Sequence, residues 1–335
     1  MWARLVDRLV PRRPSGWPCS IGGEQRRASN VHQVSDPTEE LDPSNDGPIL
    51  IVAERCQTLY VRVAKAACTT VLWGLLELEG HDPSMMNDSL KPLLSTKDLL
   101  VHDRSLYPLP LLSDVSPSLR NAALTSPSWL RVAVVRNPFA RVYSAWESKV
   151  LLQTWGNRRY GQASQLVEND KGIDVGASFR SFVGMLAKDP ERWMSDRHFK
   201  RQADVVPTAT IDDIEIVSTS GIVGLFDRLS ARAGRAVTPR RSNEGLGIDG
   251  TVLLDDEAAE RIARLYAPDF ELTGIDPTAY RQGAPIYLDP TAVRLLRLAI
   301  ARSERTQILQ QAFRRTPEQR AGSVIRRLFR GHSGR

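Results

Sequence analysis

Leu59-Tyr60-Val61-Arg62-Val63-Ala64-Lys65-Ala66-Ala67-Cys68-Thr69-Thr70-Val71-Leu72-Trp73 is the stretch whose reading decides the fold. Four of its first five residues are apolar, aromatic or β-branched and predict a strand. Small and polar residues follow. Val71 to Glu79 then has helical spacing, with Gly80 as the stop. The unit recurs downstream. Trp129-Leu130-Arg131-Val132-Ala133-Val134-Val135 predicts a second, strongly apolar strand. Asn137 stands where an N-cap belongs and Pro138 at the first helical position. Phe139, Val142, Tyr143, Trp146 and Val150 continue at steps of three and four, the period of an amphipathic helix.

The flanking segments extend the pattern. Ile49-Leu50-Ile51-Val52 predicts a strand that pairs with 59–63 as a hairpin. Ser178 opens a helix through Phe179, Phe182, Val183 and Leu186. Ile214-Glu215-Ile216-Val217 and Ile222-Val223-Gly224-Leu225-Phe226 predict two more strands. Asp255 caps a helix through Ala258, Ile262 and Leu265, and Thr291 to Phe313 reads as an Arg-rich amphipathic helix. Alternating strands and helices predict an α/β fold with a central, mainly parallel sheet flanked by helices. The expected organisation is a disordered segment over 1–46, one domain over 47–289, and a basic helix with a loose tail over 290–335.

The chain has 335 residues, 41% hydrophobic and 25% charged. That composition excludes a wholly disordered, collagenous or membrane-spanning chain. Three cysteines, Cys19, Cys56 and Cys68, make neither a disulfide framework nor a metal-ligand spacing, and a reducing compartment is expected. Residues 291–335 carry eleven Arg against two Glu, a net of +9 in a chain of +6, which leaves the first 290 residues at −3. The basic character belongs to the tail, so no nucleic-acid partner is expected. Val293, Leu296 and Ile300 with the arginines around them offer a face for an anionic bilayer; the other reading packs that face on the domain. No stretch has the length of a membrane span or the apolar run of a secretory leader. The expected location is the cytoplasm, with peripheral contact at the inner membrane face as an option.

Two turns are shaped for phosphate. In Ala64-Lys65-Ala66-Ala67-Cys68-Thr69-Thr70, small side chains let backbone N–H groups approach an anion, and a helix N-terminus adds its dipole. Lys65 supplies a charge and Thr69 and Thr70 supply hydroxyls. No G-x-x-x-x-G-K-[ST] is present, so this is not a Walker A loop. At the second turn Arg136 follows an apolar strand, where open α/β sheets bind ligands. Ser144 offers a hydroxyl two helical turns on. Arg141 reads as a solvated or salt-bridged helix residue. Two such turns in one sheet point to a dinucleotide, coenzyme A or a bisphosphorylated nucleotide.

These residues resemble the carbohydrate sulfotransferases of the chondroitin and dermatan type, sulfotransferase family 2. Lys65-Ala66-Ala67-Cys68-Thr69-Thr70 is similar to that family's 5′-phosphosulfate loop. Arg136-Asn137-Pro138-Phe139-Ala140-Arg141-Val142-Tyr143-Ser144, with Lys149 after it, is similar to its 3′-phosphate motif. Phe179-Arg180-Ser181-Phe182-Val183, Asp196-Arg197-His198-Phe199-Lys200-Arg201-Gln202, 222–229 and Tyr266-Ala267-Pro268-Asp269-Phe270 follow in the family's order. The resemblance implies a sulfotransferase fold related to P-loop kinases and the donor 3′-phosphoadenosine 5′-phosphosulfate (PAPS), with no metal. It implies that Lys65, Ala66, Ala67, Cys68, Thr69 and Thr70 hold the 5′-phosphosulfate, and that Arg136 and Ser144 hold the 3′-phosphate. The acceptor it implies is a hydroxyl on a glycan, glycolipid or other hydroxyl-bearing molecule. Val63-Ala64 stands where a proline often precedes the lysine, Asp227 replaces a glutamate, and the cysteine pairs and membrane anchor of the Golgi enzymes are missing.

Sulfuryl transfer is an in-line displacement like phosphoryl transfer. Lys65 is the expected cation at the bridging oxygen. The acceptor hydroxyl needs a base, and histidine suits that role near neutral pH. Of five histidines, His32 and His332 lie in the loose ends and His81 follows a helix stop. His102, with Asp103 to orient it, is placed ahead of His198; each has the plain alternative of a hydrogen-bonded structural residue. Asp227 is a third candidate. Trp73 and Trp146 are core residues or adenine platforms. Competing readings are a nucleotide-dependent kinase of related fold and a non-catalytic module that binds nucleotide or glycan.

Overall fold

The computed structural model describes residues 47–81, 100–102, 107–154, 160, 163, 165–240 and 245–314. The chain divides into two units, Met1–Ser35 and Asp36–Arg335. The first lies wholly outside the described residues, as do the expected disorder of 1–46 and the tail beyond 314.

The elements run β1 (Leu50–Ala53), β2 (Thr58–Val61), α1 (Cys68–Leu78), α2 (Pro117–Thr125), β3 (Leu130–Val135), α3 (Pro138–Trp146), β4 (Glu168–Asn169), β5 (Gly172–Asp174), α4 (Val175–Lys188), α5 (Pro190–Met194), β6 (Ile214–Ser218), α6 (Ile222–Ala233), α7 (Asp256–Leu265), α8 (Ala267–Thr273), β7 (Tyr287–Leu288) and α9 (Pro290–Arg314). The central sheet has the order β1-β2-β3-β6. β1 and β2 form the expected antiparallel hairpin, while β2, β3 and β6 are parallel. A small antiparallel sheet of β4, β5 and β7 was not foreseen, because strands of two or three residues carry no readable period.

Alternation of side chains along a strand builds the layers. Tyr60, Val132 and Val134 face α1 and α6, where Leu72, Leu75, Leu225, Phe226 and Leu229 are buried with them. Leu59, Val61 and Ala133 face the opposite side. A further core unites α3, α4, α7 and α8 around Trp146, Phe179, Phe182 and Ile262. The helix starts follow their caps. Asn137 Oδ1 accepts from Phe139 N and Ala140 N, with Pro138 at the first helical position. Asp255 accepts from Ala258 N. Each such cap is worth about 1 kcal/mol.

Two expectations are corrected. Residues 222–226 are not a strand but the first turns of α6. Ile222, Leu225, Phe226 and Leu229 are its buried residues, a spacing of three and four, while Val223 points to solvent; a strand would have buried alternate residues. Ser178 does not open α4. Asp174 caps it, accepting from Ala177 N at 2.8 Å, and Ser178 sits one turn inside, bonded to Asp174 O and Val167 N. The basic C-terminal helix is present as α9. Val293 is buried and Ile300 packs on the α3–α4 core, and Arg297 Nε donates to Leu151 O at 2.8 Å. Two of the three apolar residues named for a bilayer are therefore taken up by the body. Among the described residues no helix is long and apolar enough to cross a membrane.

Candidate active site

β2 and β3 are parallel neighbours, with Val61 paired to Ala133, so the turns that follow them emerge side by side at one edge of the sheet. The backbone of the first turn is left-handed at Lys65 (φ 65°) and again at Ala67 (φ 55°). Residues other than glycine take up that conformation at a cost of about 1–2 kcal/mol. Ala67 is the N-cap of α1, and no side chain caps the helix there. An uncapped N-terminus entered through a tight, small-residue turn is the arrangement that receives an anion.

Lys65 is half-buried, and its Nζ donates to Ser148 Oγ. Ser148 and Lys149 stand on a π-helical turn, Glu147–Leu151, that continues α3. The extra residue in such a turn is what sets Ser148 against the first loop. Burial, and after it the charge of the buried Lys149, pushes the Lys65 ammonium down to about 7. An additional negative group between these two cations would be strongly favoured.

Arg136 leaves the end of β3 with its backbone clasped by Gln202, which is fully buried. Gln202 Oε1 accepts from Arg136 N at 2.9 Å and Gln202 Nε2 donates to Arg136 O at 2.8 Å. The Arg136 guanidinium makes no hydrogen bond among the described residues. Burial works against its charge, whereas Glu147 and Asp249 favour it. Ser144 is half-buried one turn before Ser148.

Two histidines reach the same neighbourhood. His102 Nε2 is 3.0 Å from Thr69 Oγ1, and its buried Nδ1 has no partner among the described residues. A buried N–H without an acceptor is costly, so the bare lone pair belongs on Nδ1 and the proton on Nε2. His102 then donates to Thr69 Oγ1. Burial, and after it the charges of Arg62, Arg197 and Lys149, push the His102 imidazole well below its ordinary value and keep it neutral. The expected orienting residue, Asp103, lies outside the described residues.

His198 Nδ1 lies 2.7 Å from Asp196 Oδ1. With Nδ1–H donating to the carboxylate, Nε2 carries the free lone pair. The other carboxylate oxygen accepts from Tyr160 Oη. Burial, then the charge of Lys149, pushes the His198 imidazole down to about 3 despite Asp196, with Lys65 adding to the effect. His198 is neutral at physiological pH, as a base must be.

The remaining candidates fall away from this cluster. Asp227 is exposed on α6 rather than at a strand end. His81 is exposed after α1, and His32 and His332 lie outside the described residues. Trp73 and Trp146 are core residues; Trp146 is enclosed by Tyr143 and Phe179, with ring centroids 5.7 and 5.3 Å away. Arg141 is salt-bridged as expected but buried, not solvated. Among the described residues no group of three His, Cys, Asp or Glu side chains could hold a metal ion. Reading by sequence passed over Asp196, Gln202 and Ser148 as functional residues. Asp196 had a signal in its Asp-x-His spacing and Gln202 in closing the 196–202 segment that resembles the family's, whereas Ser148 had none.

The sequence model of the sulfotransferase family matches residues 48–222, half of the chain, from the hairpin to the first residue of α6. No curated protein matches the chain, and neither does any solved structure.

Proposed function

The chain belongs to the sulfotransferase family, and from that premise we propose that it transfers a sulfuryl group from PAPS to a hydroxyl of a carbohydrate or glycoconjugate. The observation that carries this reading is the adjacency of two anion-receiving turns on the parallel neighbours β2 and β3, with two neutral histidines beside them. The residues fit the donor. Lys65 and Lys149 bring two positive charges to one place, where a phosphosulfate would meet both. The Arg136 guanidinium and the Ser144 hydroxyl are available for a 3′-phosphate. PAPS supplies the activated sulfuryl group and leaves as 3′-phosphoadenosine 5′-phosphate (PAP).

The chain's own residues then have distinct tasks. Backbone N–H groups of the Lys65 loop and the dipole of α1 hold the phosphosulfate. His102 holds the Thr69 hydroxyl oxygen in the first turn of α1, beside that group. His198 Nε2 takes the acceptor proton while the new S–O bond forms and the bond from sulfur to the bridging oxygen breaks. Lys65 stabilises the charge that develops on that oxygen. Asp196 holds the imidazole in the required tautomer and stabilises the imidazolium. We favour His198 over His102 as the base, because among the described residues only His198 has a carboxylate on Nδ1.

Calorimetric titration with PAP, on the native chain and on Arg136→Ala, tests the reading. Micromolar binding, about −8 kcal/mol, weakened tenfold or more by the substitution, is the expected result. A folded native chain that does not bind PAP overturns the donor assignment.

A further inference from the structure

We propose that Arg141 is a positioning residue for the transfer reaction: it locks the donor loop at Ala64 and the base segment at Arg197 into one fixed relation, with Asp269 as its anchor. This rests on the sulfotransferase reading of the site. Arg141 is 1% exposed and Asp269 0%. Arg141 Nε donates to Ala64 O at 2.9 Å, Nη2 donates to Arg197 O at 3.4 Å, and Nη1 stands 3.9 Å from Asp269 Oδ2. Each carbonyl belongs to the residue immediately before a chemical group, Ala64 before Lys65 and Arg197 before His198. The anchor itself is tied to the base segment, since Asp269 Oδ1 accepts from Ala203 N at 2.9 Å. Gln202, next to Ala203, holds the Arg136 backbone. One buried cation on α3 therefore connects the loop of Lys65, the turn of Arg136 and the segment of His198.

The residue type is the second part of the argument. A buried charge is expensive, and an apolar side chain of similar volume often serves stability equally well. What an apolar side chain cannot do is bond two carbonyls in different segments. A lysine is a poor substitute, because its three N–H groups radiate from one nitrogen, whereas the two carbonyls here are met by two separate nitrogens of a planar fork with set directions. Among the described residues Asp269 Oδ2 has no hydrogen-bond partner, so the carboxylate acts on the guanidinium through charge at 3.9 Å rather than by occupying its donors. That leaves Nε and Nη2 for the two carbonyls.

The test compares the native chain with Arg141→Lys and Asp269→Asn. Amide hydrogen exchange reports local opening without any ligand. A lock predicts that 64–70 and 196–203 lose protection together in both variants while α2 and β1 keep theirs. Loss at only one of the two segments, or equal loss throughout, overturns it. Turnover of PAPS supplies the second readout, with His198→Gln as the second arm of a double-mutant cycle. Arg141→Lys is expected to cost about 30-fold or more at saturating donor in the native background and less than about threefold beside His198→Gln. Equal losses in both backgrounds mean a merely structural role. Failure of the native chain to bind PAP sinks the sulfotransferase reading instead, and the exchange result then decides the lock on its own.

Discussion

Asp196 Oδ1 holds His198 twice, accepting from the ring Nδ1 at 2.7 Å and from the backbone N–H at 2.9 Å. One oxygen thereby fixes both where the histidine backbone runs and which way the ring faces. The second oxygen is engaged by Tyr160, so the carboxylate cannot rotate away. The arrangement leaves Nε2 as the working atom.

Removing that base is the most direct test of the chemistry. His198→Gln is expected to lower turnover by about 10²–10⁴-fold, the usual worth of a positioned base. Asp196→Asn should cost less and leave PAP affinity within a few-fold of native. His102→Gln should mainly weaken donor binding, because its bond goes to Thr69. Steady-state kinetics of the three variants separates these outcomes; a larger turnover loss for His102→Gln than for His198→Gln would reverse the assignment.

Lys65 makes donor binding depend on pH in a definite sense. Its ammonium is held down to about 7 in the free protein, so the charged form is lost as pH rises through that value. PAP affinity should fall as the pH rises above about 7, on the far side of the ligand phosphates' own titration near pH 6. Binding restores the charge, so PAP should be taken up together with protons near pH 7–8. Titrations at one pH in buffers of different ionisation enthalpy measure that uptake. Lys65→Met should abolish both the uptake and the pH dependence.

The left-handed backbone at Ala67 (φ 55°) is the shape of the loop itself. Ala67→Val puts a β-branched side chain where L residues are disfavoured and should weaken PAP binding at least tenfold. Ala67→Gly relieves the same strain and should melt at or above the native temperature. Thermal melts and calorimetry on the pair check both statements.

Gly74 lets α1 meet α6. A Cβ there would lie 1.9 Å from Phe226 Cε1, whereas a Cβ on Gly224 meets nothing within 4 Å. Gly74→Ala should therefore destabilise by about 1–3 kcal/mol through overpacking. Gly224→Ala, on the exposed face of α6, should stabilise by about 0.5–1 kcal/mol. Urea unfolding midpoints of the two variants should move in opposite directions.

Local signals carried most of the fold. The hairpin, the strands at 130–135 and 214–218, the Asn137-Pro138 start of α3 and the Asp255 cap were all legible, because each is dictated by neighbours within four residues. The same holds for the loop of Lys65 and the turn of Arg136, where small residues, a cation and a following helix state the chemistry locally. The failures were local ambiguities. An apolar run such as 222–226 fits a strand or a helix until Leu229 shows the period.

What tertiary structure alone decided is which distant groups share an environment. Nothing near position 141 says that its side chain is buried against Ala64, Arg197 and Asp269. Nothing near position 65 says that a π-helical turn 83 residues away receives its ammonium. Burial and electrostatic coupling depend on what the fold brings into contact, whereas strand and helix signals depend on bonded neighbours. The sequence by itself therefore determined the α/β frame and the two anion-receiving turns. The folded chain determined the neutral histidines, the depressed lysine and the pairing of His198 with Asp196.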